Sequence, residues 1–296
     1  MQMKKSLLAA LLGMSLSASA LAANMYIDVG DNGYDLSTTV GTEDANTTTG
    51  IFNEFGFNQL LATSIYDFSD GSALGSFYDT NIPGELTAAG VPTSGTPLSG
   101  TGTVSLVMPD CAAGQCDIDA LSPLVPPLGS DNEGFLGSWD LQLAYHFDGV
   151  LTASGPVYTG GTFEVYFNDL NDDSNDRLVL SGELLNSTLQ AANLLLNFEL
   201  TYAEAGFLYV ENASGDFVAA DAGTKLVLDT NVNPPIPTAD QLLLVNSGTI
   251  EEPVVNAIRQ TTLDGSITAS IPEPGSLALL GIGALGLSMV RRRRSA

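Results

Sequence analysis

Oxygen ligands crowd one short segment of this 296-residue chain. In Asp169-Leu170-Asn171-Asp172-Asp173-Ser174-Asn175-Asp176, the side chains of Asp169, Asn171, Asp173 and Asn175 alternate. A curved loop needs that spacing to wrap carboxylate and amide oxygens around Ca²⁺. The segment departs from the EF-hand pattern, since Ser174 stands where the turn glycine belongs and Leu180 where a bidentate Glu belongs. A second acidic loop, Asp28-x-x-Asp31-Asn32-Gly33-x-Asp35, has similar ligand chemistry and less pattern. Asn and Asp in these positions also make solvated β-turns. Calcium is therefore a candidate cofactor, not a requirement of the sequence.

The other reactive residues are few. Cys111 and Cys116 are the only cysteines, in a C-x4-C spacing. In an exported chain that pair is expected as a disulfide closing a small loop. Two thiols do not complete a structural zinc site, which takes four ligands, and a redox pair favours C-x-x-C. His146 is the single histidine, so a two-His metal motif is excluded. A catalytic His needs a positioned partner, and the expectation for His146 is a surface strand position. The 34 acidic residues make no carboxylate pair informative, because glycosidases are recognised by a carboxyl separation in space. Neither a G-x-S-x-G elbow, a P-loop nor an H-E-x-x-H motif occurs. Tyr158, Tyr166 and Tyr202 are candidates for stacking on sugars, with packing as the default. No catalytic residue is assigned, and a non-enzymatic protein is expected.

Charge narrows the partners. The formal net charge is −25, which excludes the basic stripe a nucleic-acid binder needs. The hydrophobic fraction of 44% separates the chain from acidic disordered segments. Nine basic residues are unevenly placed. Lys4 and Lys5 open the chain and Arg291, Arg292, Arg293 and Arg294 nearly close it. Only Arg177, Lys225 and Arg259 stand between, against 33 acids in residues 23–272, a net of −30.

Those outer basic residues belong to two address labels. Residues 1–22 combine a basic start, an apolar run from Leu7 to Leu16 and a small-residue end, Ala20-Leu21-Ala22, the order of a secretory signal peptide. Cleavage is expected after Ala22, with Ala20 and Ala23 as neighbouring alternatives. At the other end, Pro272-Glu273-Pro274 precedes an apolar stretch over 275–290 and the Arg291–Arg294 cluster. Sixteen apolar or small residues make a short transmembrane helix, and the arginines hold that end in the cytoplasm as a stop-transfer signal. Gly281-x-Gly283-x-x-Gly286 inside it spells a dinucleotide fingerprint by chance, because no strand precedes it.

The order Pro272-Glu273-Pro274, apolar span, Arg cluster resembles a PEP-CTERM sorting signal. The resemblance covers about the last 25 residues and implies processing by an exosortase. It further implies a Gram-negative-type envelope, export through the inner membrane, a cell-surface or extracellular-matrix destination, and exopolysaccharide as a partner. Ile65-Tyr66-Asp67-Phe68-Ser69-Asp70-Gly71-Ser72 and Gly75-Ser76-Phe77-Tyr78-Asp79-Thr80-Asn81 resemble stretches of flocculation-associated surface proteins of that group. Adhesion, flocculation or biofilm scaffolding is the expected function. A secreted carbohydrate-binding module is the alternative, and a polysaccharide hydrolase follows it.

The elements that must carry these residues read as strands. Trp139, Leu141, Leu143, Tyr145 and Phe147 alternate with Asp140, Gln142, Ala144 and His146, the period of a half-buried strand. Asp148-Gly149 then signals a hairpin turn. Further strands are expected over 103–108, 162–167, 177–185, 193–202, 207–210, 225–228 and 266–271. The apolar runs 55–65, 184–196 and 239–245 leave helical turns open. The expectation is an all-β fold, a β-sandwich or jelly-roll-like ectodomain with long loops. In sequence order this gives a signal peptide (1–22), the ectodomain (23–250), a stalk (251–271) and the sorting signal (272–296) with its C-terminal transmembrane helix.

Overall fold

The computed structural model describes residues 22–35, 46–68, 75–92, 94–95, 97, 99, 103–106, 122–124, 131–190, 193–231, 235–248 and 253–270. Alternation of apolar and polar residues makes most of them strands. In chain order they are β1 (Met25–Ile27), β2 (Glu54–Asp67), β3 (Ser76–Thr80), helix α1 (Pro83–Ala88), β4 (Ser94–Gly95), β5 (Val104–Ser105) and β6 (Ser122–Leu124). The long central hairpins follow: β7 (Trp139–Thr152), β8 (Gly155–Asp169), β9 (Arg177–Gln190) and β10 (Asn193–Ala203). Last come β11 (Leu208–Glu211), β12 (Phe217–Ala219), β13 (Lys225–Asn231), β14 (Leu243–Gly248) and β15 (Pro253–Ala269).

Ten of these strands share one sheet, in the order β14-β15-β13-β10-β9-β8-β7-β3-β2-β6, and β15 also pairs with β2. That extra pairing, from Asn256↔Asp67 to Ile267↔Phe55, closes an antiparallel circuit of eight strands: β2, β3, β7, β8, β9, β10, β13 and β15. The all-β expectation holds, but the arrangement differs from a sandwich. A sandwich needs two sheets face to face, whereas here one sheet curls until its first and last long strands meet.

Closure has a local cause in the sequence. Phe57↔Gly265, Phe77↔Gly149, Phe147↔Gly161 and Phe163↔Gly182 are cross-strand pairs. A Cβ placed on each glycine would stand 2.5–2.8 Å from the paired ring. The rings therefore lie on bare backbone, which lets strands bend sharply while staying covered. Register shifts fall beside two of these glycines, at Asp148/Gly149 and Leu263/Gly265, and bulges of that kind add twist. The Asp148-Gly149 turn signal is thus a bulge inside β7, and the reversal comes later, at Ala153-Ser154.

Other expectations need correcting. The run 55–65 lies in β2, the described residues of 184–196 lie in β9 and β10, and 239–245 is a turn leading into β14. Residues 251–271, expected as a stalk, supply β15, the strand that closes the circuit. Proline and polar residues there read as a linker because the strand that closes against them, β2, lies 189–212 residues away in sequence.

Two additions complete the fold. A three-stranded sheet, β1-β11-β12, buries Met25, Ile27, Leu208 and Val210 in the cluster that holds Trp139, Phe167 and Ala269, and so covers one end of the barrel. Helix α1 begins at Pro83, a position where the missing N–H costs nothing. It sets Leu86, with Ala89, against Ile65, Leu243 and Ile258 on the outer wall.

Candidate functional site

The acidic loop between β8 and β9 folds on itself. Asp169 is buried, and its Oδ1 accepts the backbone N–H of Asn171 at 2.9 Å and of Asp172 at 3.2 Å. Its Oδ2 accepts from the Asn175 amide at 2.8 Å and the Tyr34 hydroxyl at 3.0 Å. Desolvation pushes the Asp169 carboxyl up, but the donors outweigh it and hold it below the ordinary carboxylate range. Asp172 caps the 3-10 turn Asp173–Asn175 by accepting from Ser174. The structure brings Asp169 and Asn175 together as acceptor and donor, while Asn171 and Asp173 lie exposed. Tyr34 ties this loop to the other acidic segment, where Asp28 and Asp31 accept from Gly30 and Gly33. Among the described residues no group of three or more His, Cys, Asp or Glu is arranged to hold a metal.

His146 lies on the outer face of β7, as its alternation predicts, but it has company. Nδ1 meets Glu85 Oε2 of α1 at 2.7 Å and Nε2 meets Asp148 Oδ1 at 3.3 Å. Its ring stacks on Tyr78 at 5.2 Å. Burial lowers the imidazole pKa, the two carboxylates raise it, and the net direction is upward. The two nitrogens point to different carboxylates, so the cluster is a clasp for α1.

Sequence reasoning missed the most unusual polar group. Ser64 pairs with Arg259 on one side and Asp79 on the other, and Asp79 with Phe147. Directly opposed residues share a face, so this row points into the barrel. Arg259, Ser64 and Asp79 are all buried. The Tyr158 hydroxyl donates a short hydrogen bond to Asp79 Oδ2. Desolvation is the main cause that raises the Asp79 carboxyl, opposed by Ser64, Tyr158 and the Arg259 charge. Burial and the Asp79 charge push the Tyr158 phenol well above its ordinary value. One signal was available: in Phe77-Tyr78-Asp79-Thr80, alternation puts Asp79 on the face of Phe77.

Asp79 and Tyr158 border an interior cavity with Phe57, Ala62, Phe198 and Leu226. About 40 Å³ of it is open to the centre of a water molecule. Tyr166 is on the outer face instead, its hydroxyl 2.7 Å from Glu164 and its pKa raised to about 12, first by desolvation and then by that carboxylate.

The two chain ends of the barrel meet. Ala22 and Ser270 form an antiparallel bridge, the Ala23 N–H donates to Ala269 O at 2.8 Å, and the Ser270 N–H donates to Lys225 O at 3.0 Å. The first and last described residues of the barrel are therefore neighbours. Pro272, Glu273, Pro274, the span 275–290, the arginines 291–294, and Cys111 and Cys116 lie outside the described residues.

No curated protein and no solved structure matches the chain. A family model of the PEP-CTERM protein-sorting motif matches residues 270–294. The match starts at the last described residue of the barrel and ends at the last arginine of the cluster. It implies export and surface sorting by an exosortase. The chain carries a PEP-CTERM sorting motif, the mark of an exosortase substrate.

Proposed function

We propose that the protein is a non-enzymatic adhesion or scaffolding component of the surface or matrix of a Gram-negative-type cell, with flocculation or biofilm cohesion as its output. The sorting motif at 270–294 carries this reading, because an exosortase substrate works outside the cell. Charge supports it. Arg177 pairs with Glu204 at 3.0 Å, Lys225 pairs with Glu199, and Arg259 is buried near Asp79. The three basic residues between the address labels are thus engaged within the fold, and the outer surface is anionic. Like charge keeps such a surface from anionic polysaccharide unless cations bridge them. Deleting the gene is expected to reduce aggregation and biofilm mass, with recovery on complementation. Unchanged aggregation and biofilm in the deletion strain would sink the reading.

A carbohydrate-binding surface is the second reading, and one observation favours it. Tyr26 and Tyr209 stack at 4.6 Å with planes 10° apart, and Phe217 adjoins Tyr26 at 5.1 Å. The three rings are half-exposed on the three-stranded sheet, beside Asn24 and Glu211. Affinity electrophoresis in gels containing the producing strain's polysaccharide tests it: Tyr209→Ala is expected to migrate faster than wild type, and equal migration would count against sugar binding. A hydrolase needs two carboxylates about 5–10 Å apart in one cleft. The interior cavity has one carboxylate in its wall, Asp79.

A further inference from the structure

An eight-stranded barrel is wide enough either to be filled by its own side chains or to hold one small ligand. This one is not quite filled. The space open to the centre of a water, ≈ 40 Å³, is several times the roughly 10–15 Å³ that one water needs. Its wall is built from aromatic and aliphatic side chains, Phe57, Leu143, Phe198 and Leu226 among them.

The polar groups of the wall decide what fits. Tyr158 gives its hydroxyl proton to Asp79 Oδ2. The Thr230 hydroxyl donates to Asp264 O at 3.0 Å. Asp79 Oδ1 is buried, and no donor reaches it in hydrogen-bond geometry among the described residues, although Ser64 and Arg259 stand near enough to favour its charge. A buried water is held by about two to four polar partners; Tyr145 also stands in this wall, and Asp79 Oδ1 is the wall acceptor that no donor satisfies among the described residues. A wholly apolar guest would leave that acceptor unmet and bind more weakly for it.

We propose that the barrel interior is a binding site for a small, mostly apolar alcohol, whose hydroxyl donates to Asp79 Oδ1 while its hydrocarbon part fills the cavity. This is the usual composition of a small-molecule site: an apolar wall with few, fixed polar groups. The site is separate from the outer surface that adhesion would use, so either can fail without the other.

The test compares phenol with toluene, which have the same shape and differ by hydroxyl against methyl. Titration calorimetry on the processed protein purified from producing cells is expected to show one phenol site. Toluene is expected to bind at least tenfold more weakly, and Ala62→Leu, which fills the cavity, to abolish phenol binding with an unchanged circular dichroism spectrum. Equal binding of phenol and toluene, no phenol binding to the wild type, or phenol binding that survives in folded Ala62→Leu would each overturn the proposal. The phenol and toluene comparison needs no variant, so it stands even if Ala62→Leu does not fold.

Discussion

His146 shows how one exposed strand residue becomes a pH-dependent tie. Its folded pKa is raised, so the imidazolium is favoured in the native state. The stability this adds is fully present below the unfolded pKa of about 6.5 and is lost as pH rises through the folded pKa. Urea melts across neutral pH are expected to show that loss in the wild type and to lose most of it in Glu85→Gln; an identical pH profile in the variant would refute the clasp. Asp169 works in the opposite sense. Its lowered pKa gives stability above the unfolded value of about 3.9 that disappears as pH falls through the folded one. Leu136 is a strained residue, with φ 62° and 60% exposure. The left-handed region costs a non-glycine residue about 1–2 kcal/mol, part of which glycine returns through its freer unfolded chain. Leu136→Gly is therefore expected to stabilise by about 0.5–1 kcal/mol, read as a higher melting temperature. A lower one would mean that the exposed leucine packs against something.

At the scale of elements, the Phe-on-Gly pairs govern closure. A side chain at Gly182 would meet the Phe163 ring at 2.5 Å and Glu199 O at 2.9 Å. Gly182→Val is expected to cost about 1–3 kcal/mol by overpacking, measured as a reduced denaturation midpoint. An unchanged midpoint would show that β8 and β9 can separate without loss. The barrel seam bears on the expected signal-peptide cleavage. Ala23 is completely buried and its N–H bonds to Ala269 O on β15, so Ala23 is part of the folded domain. Of the three expected cleavage points, those after Ala20 and Ala22 keep that contact, and the one after Ala23 removes it. Intact mass of the secreted protein is expected to place the mature N-terminus at Leu21 or Ala23. A chain starting at Asn24 would contradict this.

For the molecule as a whole, charge and topology act together. Lys4 and Lys5 lie near one end of the sequence and the four arginines near the other. The first and last described residues, Ala22 and Ser270, pair in an antiparallel bridge. Ile271 alone separates the last described residue from Pro272-Glu273-Pro274, so the barrel stands close to the sorting motif with no long spacer. The body, at −30 over residues 23–272, is expected to bind anionic polysaccharide in Ca²⁺ and to release it in EDTA. Binding that is the same in Ca²⁺ and in Na⁺ of equal ionic strength would argue against ionic bridging.

The sequence alone determined the C-terminal sorting motif, the acidity of the body and the β character. Each is written in the residues themselves: a PEP-span-Arg order, an excess of Asp and Glu, and the two-residue alternation from Trp139 to Phe147. It also put His146 outward and placed the loop over 169–176. Only the tertiary structure decided that β15 is a wall and not a stalk, that one sheet closes on itself, and that Asp79, Ser64 and Arg259 meet. Those depend on pairings such as Arg259↔Ser64, 195 residues apart, where neither strand's own pattern names its partner. Alternation specifies which face a residue takes; what it faces is set by register across the circuit.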